Sequence, residues 1–352
     1  MASRPSTMHA WQKVFGSSEP VRNQVPVPAA PPDGLLVKIH AAGVCHSDVA
    51  LLKQENRAPA FKGNAYTLGH EGCGEVVEIG SSVPADAFKV GDMVAILSVA
   101  GCGASSCGEC SRDLAQICRA GEKYGITHDG AYAPYIAIKT RAATKLPDGV
   151  TPEQGAVATD ACMTAFHAVV GTAQVKRDET VLIVGIGGLG FNALQVAQWI
   201  GAKVFVADKR QKVLEEARKF GVPEEDIVPV GETVQEFVKR KDLVIDTIID
   251  FVGVQETFTA SQEAVRFGGK LVQVGLLAPH ITVNNFLSVR KHLSILCSYG
   301  GTMEDLKQCL ELISKAKLRP QVVNGSLDGF PQVLEDLHAG KVKSRIALVP
   351  NA

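Results

Sequence analysis

The chain has 352 residues, 46% hydrophobic, 21% charged and 6% aromatic. That is more chain than one small core usually serves, so two domains are expected. With 36 basic and 37 acidic residues the formal charge is −1, which excludes a broad electrostatic grip on nucleic acid or an anionic membrane.

In chain order, the Pro31-Pro32-Asp33-Gly34 turn opens a series of short strands at Leu35–His40, Gly74–Ile79 and Met93–Leu97. Few segments there have helical periodicity, so a barrel-like β domain is expected. The texture changes near Asp160. A β-branched run at Thr180–Val184 enters a glycine turn, and a helical period follows to Ile200. Further strands are expected at Lys203–Ala207, Val244–Ile249, Lys270–Val274 and near Ser294–Cys297. Helices are expected at Lys212–Phe220, Gln255–Arg266 and Glu304–Lys315. Strands alternating with helices of this length imply an α/β fold with a doubly wound parallel sheet. The last forty residues return to mixed texture. The expected division is therefore 1–160 with 303–352, and 161–302.

No apolar run approaches the roughly 18 residues that span a bilayer, and the first residues lack the apolar core of a signal peptide. A cytoplasmic protein is expected. Its nine cysteines then read as buried thiols or metal ligands rather than disulfides.

Three motifs carry chemistry. Gly185-Ile186-Gly187-Gly188-Leu189-Gly190 is a GxGxxG turn between a strand and a helix. There the bare backbone can approach a pyrophosphate seated on a helix N-terminus. Asp208 ends the next strand, where a carboxylate accepts from ribose hydroxyls and repels a 2′-phosphate. NAD(H) is thus favoured over NADP(H), although Lys209 and Arg210 follow at once. Cys102, Cys107, Cys110 and Cys118 form a C-x4-C-x2-C-x7-C array, the donor set of a structural zinc. Cys45 and the His70-Glu71 pair offer a thiolate, an imidazole and a carboxylate, to which Asp160 or Cys162 could add a further ligand. A catalytic zinc wants three protein ligands and an open position.

Together these stretches resemble the zinc-containing medium-chain dehydrogenases and reductases, the alcohol dehydrogenase family, over nearly the whole chain. The resemblance rests on AAGVCHSDVALL at 41–52, LGHEGCGEVVEIGSSV at 68–83, FKVGDMV at 88–94, the four-cysteine loop, DGAYAPYIAI at 129–138, VGIGGLG at 184–190 and GKVKSRIAL at 340–348. TDACMTAFHA at 159–168 and DFVGVQETF at 250–258 look most like the yeast and fungal secondary alcohol dehydrogenases, also called carbonyl reductases.

The resemblance implies a GroES-like β-barrel catalytic domain with a Rossmann domain, two zinc ions per chain and hydride transfer between NAD(H) and a secondary alcohol or ketone. It implies Cys45, His70 and Asp160 as catalytic zinc ligands, with Glu71 as an exchangeable fourth. Asp48 would orient the ligating histidine, and Ser47 would take the substrate proton. His46 and Arg345 match pyrophosphate contacts, and Thr164, Leu189 and Val274-Gly275 match nicotinamide contacts. The GxGxxG glycines Gly185, Gly187, Gly188 and Gly190, with Asp208 and Lys209, complete the cofactor set. Many relatives end the proton relay in a histidine where this chain has Ala50, and they usually separate the first two structural cysteines by two residues rather than four. Ser98 stands where many relatives carry a bulky pocket residue. A homo-oligomer, dimer or tetramer, is also implied, with the strand near Ser294–Cys297 able to pair across an interface. Two alternatives stay open: a sorbitol-type polyol dehydrogenase of the same fold, and a non-enzymatic cofactor-binding protein.

Overall fold

The computed structural model describes residues 4–55, 63–342 and 345–350; positions 343 and 344 of the closing motif lie outside the described residues. Contacts divide the chain into two units. One runs to Asp160 and takes back Thr302–Lys315 and the residues from Pro320 on. The other holds Ala161–Gly301 with Ala316–Arg319.

The first unit begins with β1 (Thr7–Val14), β2 (Val21–Pro26), β3 (Gly34–Val44), β4 (Ala65–Thr67), β5 (Glu71–Ile79), β6 (Met93–Leu97), β7 (Tyr135–Lys139) and β8 (Ala143–Lys145). Strands β2, β1 and β4 form a small sheet in that order. The larger sheet is organised on β3, which pairs antiparallel with β5 along most of its length and with β7 at Gly34–Lys38. Leu35, Leu36 and Val37 of β3 are fully buried, each worth about 1.5–3 kcal/mol of apolar transfer.

Both β3 and β5 outrun their β-branched stretches. The ladder continues through Ala41-Ala42-Gly43 opposite Glu71-Gly72-Cys73, although alanine and glycine are weak strand formers. Lack of bulk explains it: a Cβ on Gly43 would stand 2.1 Å from the Glu71 carboxylate oxygen Oε2. The extension is what carries the chain to Cys45 and begins β5 at Glu71. A short helix, α1 (His46–Lys53), follows β3 directly. Eight residues with mixed polarity gave no periodic signal for it.

Helix α2 (Pro152–Val157) is set by the Thr151 cap, whose side chain accepts from the Gln154 N–H, and by Pro152 in its first turn. The helix continues as a π-helical segment at Ala158–Cys162, on which Asp160 lies. Such insertions are frequent at functional positions.

The second unit has β9 (Thr180–Val184), β10 (Lys203–Ala207), β11 (Thr247–Asp250), β12 (Lys270–Gln273) and β13 (Ser294–Cys297), all parallel, in the order β10-β9-β11-β12-β13. A bridge between Val206 and Ile227 extends the β10 edge, giving the strand order of a dinucleotide-binding doubly wound sheet. Helices at Gly190–Ile200, Gln211–Lys219 and Gln255–Ala264 lie between the strands in sequence. β11 starts three residues later than its apolar run. Val244 is 64% exposed, and the Asp246 carboxylate instead accepts from Thr180 N at 2.8 Å and Arg266 Nε at 2.6 Å. Short helices at Val234–Arg240 and Asn285–Lys291 escaped the sequence reading; at seven residues each they are too short to show a period and rest on the Thr233 and Asn284 caps.

The chain then returns to the first unit with β14 (Val322–Ser326) and β15 (Arg345–Val349). The large sheet reads β14-β15-β3-β5-β6-β8. Pairing of Ile346 with Val44 brings Arg345 to the end of β3. The helix Phe330–His338 closes this core, with the Phe330 ring 4.4 Å from that of Tyr132. The fold is thus the expected α/β pairing of a GroES-like β unit with a Rossmann-type unit. Among the described residues no helix is long and apolar enough to cross a membrane.

Candidate functional site

In the first unit, Cys45, His70, Glu71 and Asp160 each offer one donor atom within 4.8 Å of the others. Local structure explains each position. Cys45 caps α1, where its own N–H donates to Asp48 Oδ2 at 3.0 Å. His70 and Glu71 sit at the start of β5, and Asp160 on the π-helical segment.

Asp48 is fully buried and faces His70, its Oδ1 being 3.4 Å from the ring Nδ1. That leaves Nε2 for the cluster and holds the ring in one orientation. The Tyr132 hydroxyl lies 2.8 Å from both Asp48 Oδ2 and Gly43 O and steadies the carboxylate. No sequence signal singled Tyr132 out.

Arg345 has different partners from those the resemblance implied. Its guanidinium is buried, with Nη1 donating to Glu71 Oε1 at 2.9 Å and Val44 O at 3.1 Å, and Nη2 to Asp160 Oδ2 at 3.2 Å. No local pattern signals these contacts, because they depend on the register of β15 against β3.

Electrostatically, the cluster gathers acids around one cation. Burial opposes ionisation of Cys45, yet the Arg345 charge carries its pKa below the ordinary thiol value. Burial, with Asp160 and Cys45 adding, pushes Glu71 well above the usual carboxylate range despite Arg345. Burial would lower His70, but the Asp48 charge raises it. Glu71 Oε2 is buried without a hydrogen-bond partner, an expensive state that a metal ion would relieve. One thiolate, one imidazole and two carboxylates within a few ångströms fit a zinc ion by donor chemistry.

The cysteine loop makes a second cluster in the same unit, with its four sulfurs drawn together. Cys102 and Cys110 Sγ are 3.8 Å apart, and Cys107 and Cys118 Sγ 3.7 Å. Two sulfurs about 2.3 Å from one tetrahedral centre stand about 3.8 Å apart, so the loop fits a zinc ion despite its longer first spacing. The thiols are unevenly poised. Burial opposes ionisation of Cys118, but the Cys102 and Ala120 backbone N–H groups bring it down to about 6. The Cys110 backbone favours the Cys107 thiolate, yet the neighbouring Glu109 carboxylate is foremost in pushing it up to about 12.

In the second unit the glycine turn follows β9. Gly185 has φ +86°, open to glycine at little cost, and a Cβ on Gly190 would stand 2.0 Å from Gly185 O. At Gly187, by contrast, the nearest atom to an added Cβ would be an Arg210 guanidinium nitrogen at 3.8 Å. The turn is therefore packed on one side and open on the other, as close approach of a pyrophosphate requires. Asp208 Oδ2 accepts from Ile186 N at 2.9 Å, tying the acidic strand end to the turn. Asp250, missed by the sequence reading, ends β11 fully buried and accepts from Val252 N, Gly253 N and the Thr257 hydroxyl. Its backbone oxygen accepts from Val274 N and Gly275 N. An aspartate at a parallel strand's C-terminal end was the available signal.

Of the other expected residues, His46, Ser47 and Lys209 are exposed, Leu189 and Val274 half-buried and Thr164 buried. Ser47 Oγ lies 3.5 Å from Cys45 Sγ. Ser98, at the end of β6, is buried. None of the nine cysteines, all among the described residues, is in a disulfide.

Comparison with known proteins adds the following. Residues 31–148 match the family described as alcohol dehydrogenase GroES-like domain, and residues 188–315 match zinc-binding dehydrogenase. Two alcohol dehydrogenases of Geobacillus stearothermophilus are 30% and 32% identical to this chain over 319 residues, covering 89% of it and 91% of each relative. Among solved structures, acetophenone reductase from Geotrichum candidum, in complex with NAD, aligns with a TM-score of 0.88 at 30% identity, over 99% of this chain and 98% of that one.

Proposed function

The chain belongs to the zinc-type medium-chain alcohol dehydrogenase family, and from that premise we propose that it transfers hydride between NAD(H) and secondary alcohols or their ketones. The observation that carries this reading is the convergence of one donor atom each from Cys45, His70, Glu71 and Asp160. Support for a ketone substrate comes from the resemblance to acetophenone reductase, since acetophenone is a ketone whose reduction gives a secondary alcohol.

Zinc held by Cys45, His70 and Asp160 would supply Lewis acidity to an alcohol or carbonyl oxygen. Asp48 keeps the His70 ring in place, and Glu71 is the ligand free to enter or leave, its charge balanced by Arg345. Ser47 is exposed and takes the proton of the substrate hydroxyl. With Ala50 where a histidine could follow, that proton passes from Ser47 to water. A second zinc in the cysteine loop has no chemical role; Cys102, Cys107, Cys110 and Cys118 use it to fix an otherwise small-residue loop.

We assign the diphosphate to the N–H groups of Gly187, Gly188, Leu189 and Gly190 with His46, and the ribose to Asp208 with Lys209 nearby. Thr164, Leu189 and the Val274-Gly275 backbone would hold the nicotinamide, which supplies the hydride. The resemblance also implies a diphosphate contact for Arg345, whose guanidinium here pairs with Glu71 and Asp160.

The division into catalytic segments 1–160 and 303–352 and a cofactor domain at 161–302 is part of this proposal. So is a homo-oligomer formed through β13, an edge strand whose unpaired groups invite a partner. Nine cysteines without a disulfide suit a reducing compartment, and we propose a cytoplasmic protein.

The experiment is a panel of ketones and polyols with NADH, NAD and their phosphorylated forms. Reduction of methyl ketones with NADH, outpacing polyol oxidation, is the expected result. Turnover confined to polyols would transfer the protein to the sorbitol type, and no turnover of either would refute the reading.

A further inference from the structure

Asp208 does not face solvent as an open carboxylate. Its side chain is 4% exposed, whereas that of Arg210, two residues on, is 44% exposed. Arg210 Nε donates to Asp208 Oδ1 at 2.9 Å and Nη2 to Oδ2 at 2.8 Å. The Arg210 backbone N–H also donates to Oδ1 at 2.9 Å, and Ile186 N to Oδ2 at 2.9 Å. A carboxylate has about four lone-pair sites, and all four are taken. A ribose diol can bind Asp208 only if the Arg210 side chain withdraws and frees two of them.

The same guanidinium leans over the open side of the glycine turn, within 3.8 Å of where a Gly187 side chain would begin. Bare Asp208 would repel a 2′-phosphate. Paired with Arg210 it is neutral, and exposed Lys209 makes the local balance positive. The guanidinium fork matches phosphate geometry, and its Nη1, which makes neither bond to Asp208, can meet a phosphate while Nε and Nη2 keep the carboxylate neutral.

We propose that Arg210 determines cofactor selectivity: its clamp on Asp208 handicaps NADH, and its guanidinium receives the 2′-phosphate of NADPH, so that the chain accepts both. This rests on the hydride-transfer reading above and extends it to the ribose end of the cofactor.

The test is direct binding, by isothermal titration calorimetry, of NADH and NADPH to the metal-replete wild type and to Arg210→Gln, with thermal melting to establish that both are folded. Wild type is expected to bind both nucleotides. In R210Q the NADPH Kd should rise about tenfold or more, the loss of a charge-assisted pair, while NADH holds or tightens because Asp208 is released. An NADPH Kd unchanged in R210Q would overturn the proposal, as would a wild type that binds NADH but no NADPH; the oxidoreductase reading survives both. Binding of neither nucleotide by the wild type would refute that reading together with the inference.

Discussion

Arg345 Nη1 donates to Glu71 Oε1 at 2.9 Å, in an ion pair whose side chains are 8% and 0% exposed. A second bond from the same guanidinium reaches Asp160. One buried arginine therefore balances two carboxylates and the Cys45 thiol, all three belonging to residues that a zinc ion would claim.

Arg345→Met leaves those acids without their cation. Breaking a buried pair by removing one partner costs about 3–5 kcal/mol, so metal-stripped R345M should lose roughly that much in urea unfolding relative to stripped wild type. With zinc restored the difference should shrink, because a second cation now serves the same carboxylates. An equal loss with and without metal would mean that Arg345 acts only as a structural strut.

Proton release through Ser47 is the next point. Ser47 is exposed, and Ala50 beside it on α1 cannot carry the proton onward. Ala50→His places a base with a pKa near about 6.5 on this route. Alcohol oxidation by A50H should gain a step in kcat/KM that rises with pH through that region, since the imidazole accepts a proton only when neutral. A profile identical to wild type would show that protons leave by another path.

The cysteine loop makes a separate prediction. Cys107→Ser removes one corner of the sulfur cluster and should lower bound zinc by one ion per chain. The 102–118 loop should then become the first site of limited proteolysis, because its remaining small residues give it little reason to hold a shape. Retention of both metal and protease resistance would argue that the loop is held by packing alone.

How far these sites could be read from the chain follows from where their residues lie. The cysteine array, the glycine turn with Asp208, and the strand and helix alternation of the second unit are local patterns, and local patterns survive in one dimension. The extensions of β3 and β5 were hidden because Ala41-Ala42-Gly43 and Gly72-Cys73 suit close approach, not strand propensity. Helix α1 was hidden by its length. The partners of Arg345, the Tyr132 contact to Asp48 and the four-donor saturation of Asp208 are long-range or rotameric. They depend on strand register and on side-chain direction, which no spacing in the sequence encodes.

The central claim is that Cys45, His70 and Asp160 hold a zinc ion apart from the cysteine loop. Metal content of purified wild type and Cys45→Ser by mass spectrometry tests it most directly. Two zinc ions per chain in the wild type and one in C45S, with the loop metal retained and alcohol oxidation abolished, is the predicted result. Zinc content unaltered by C45S would contradict the account.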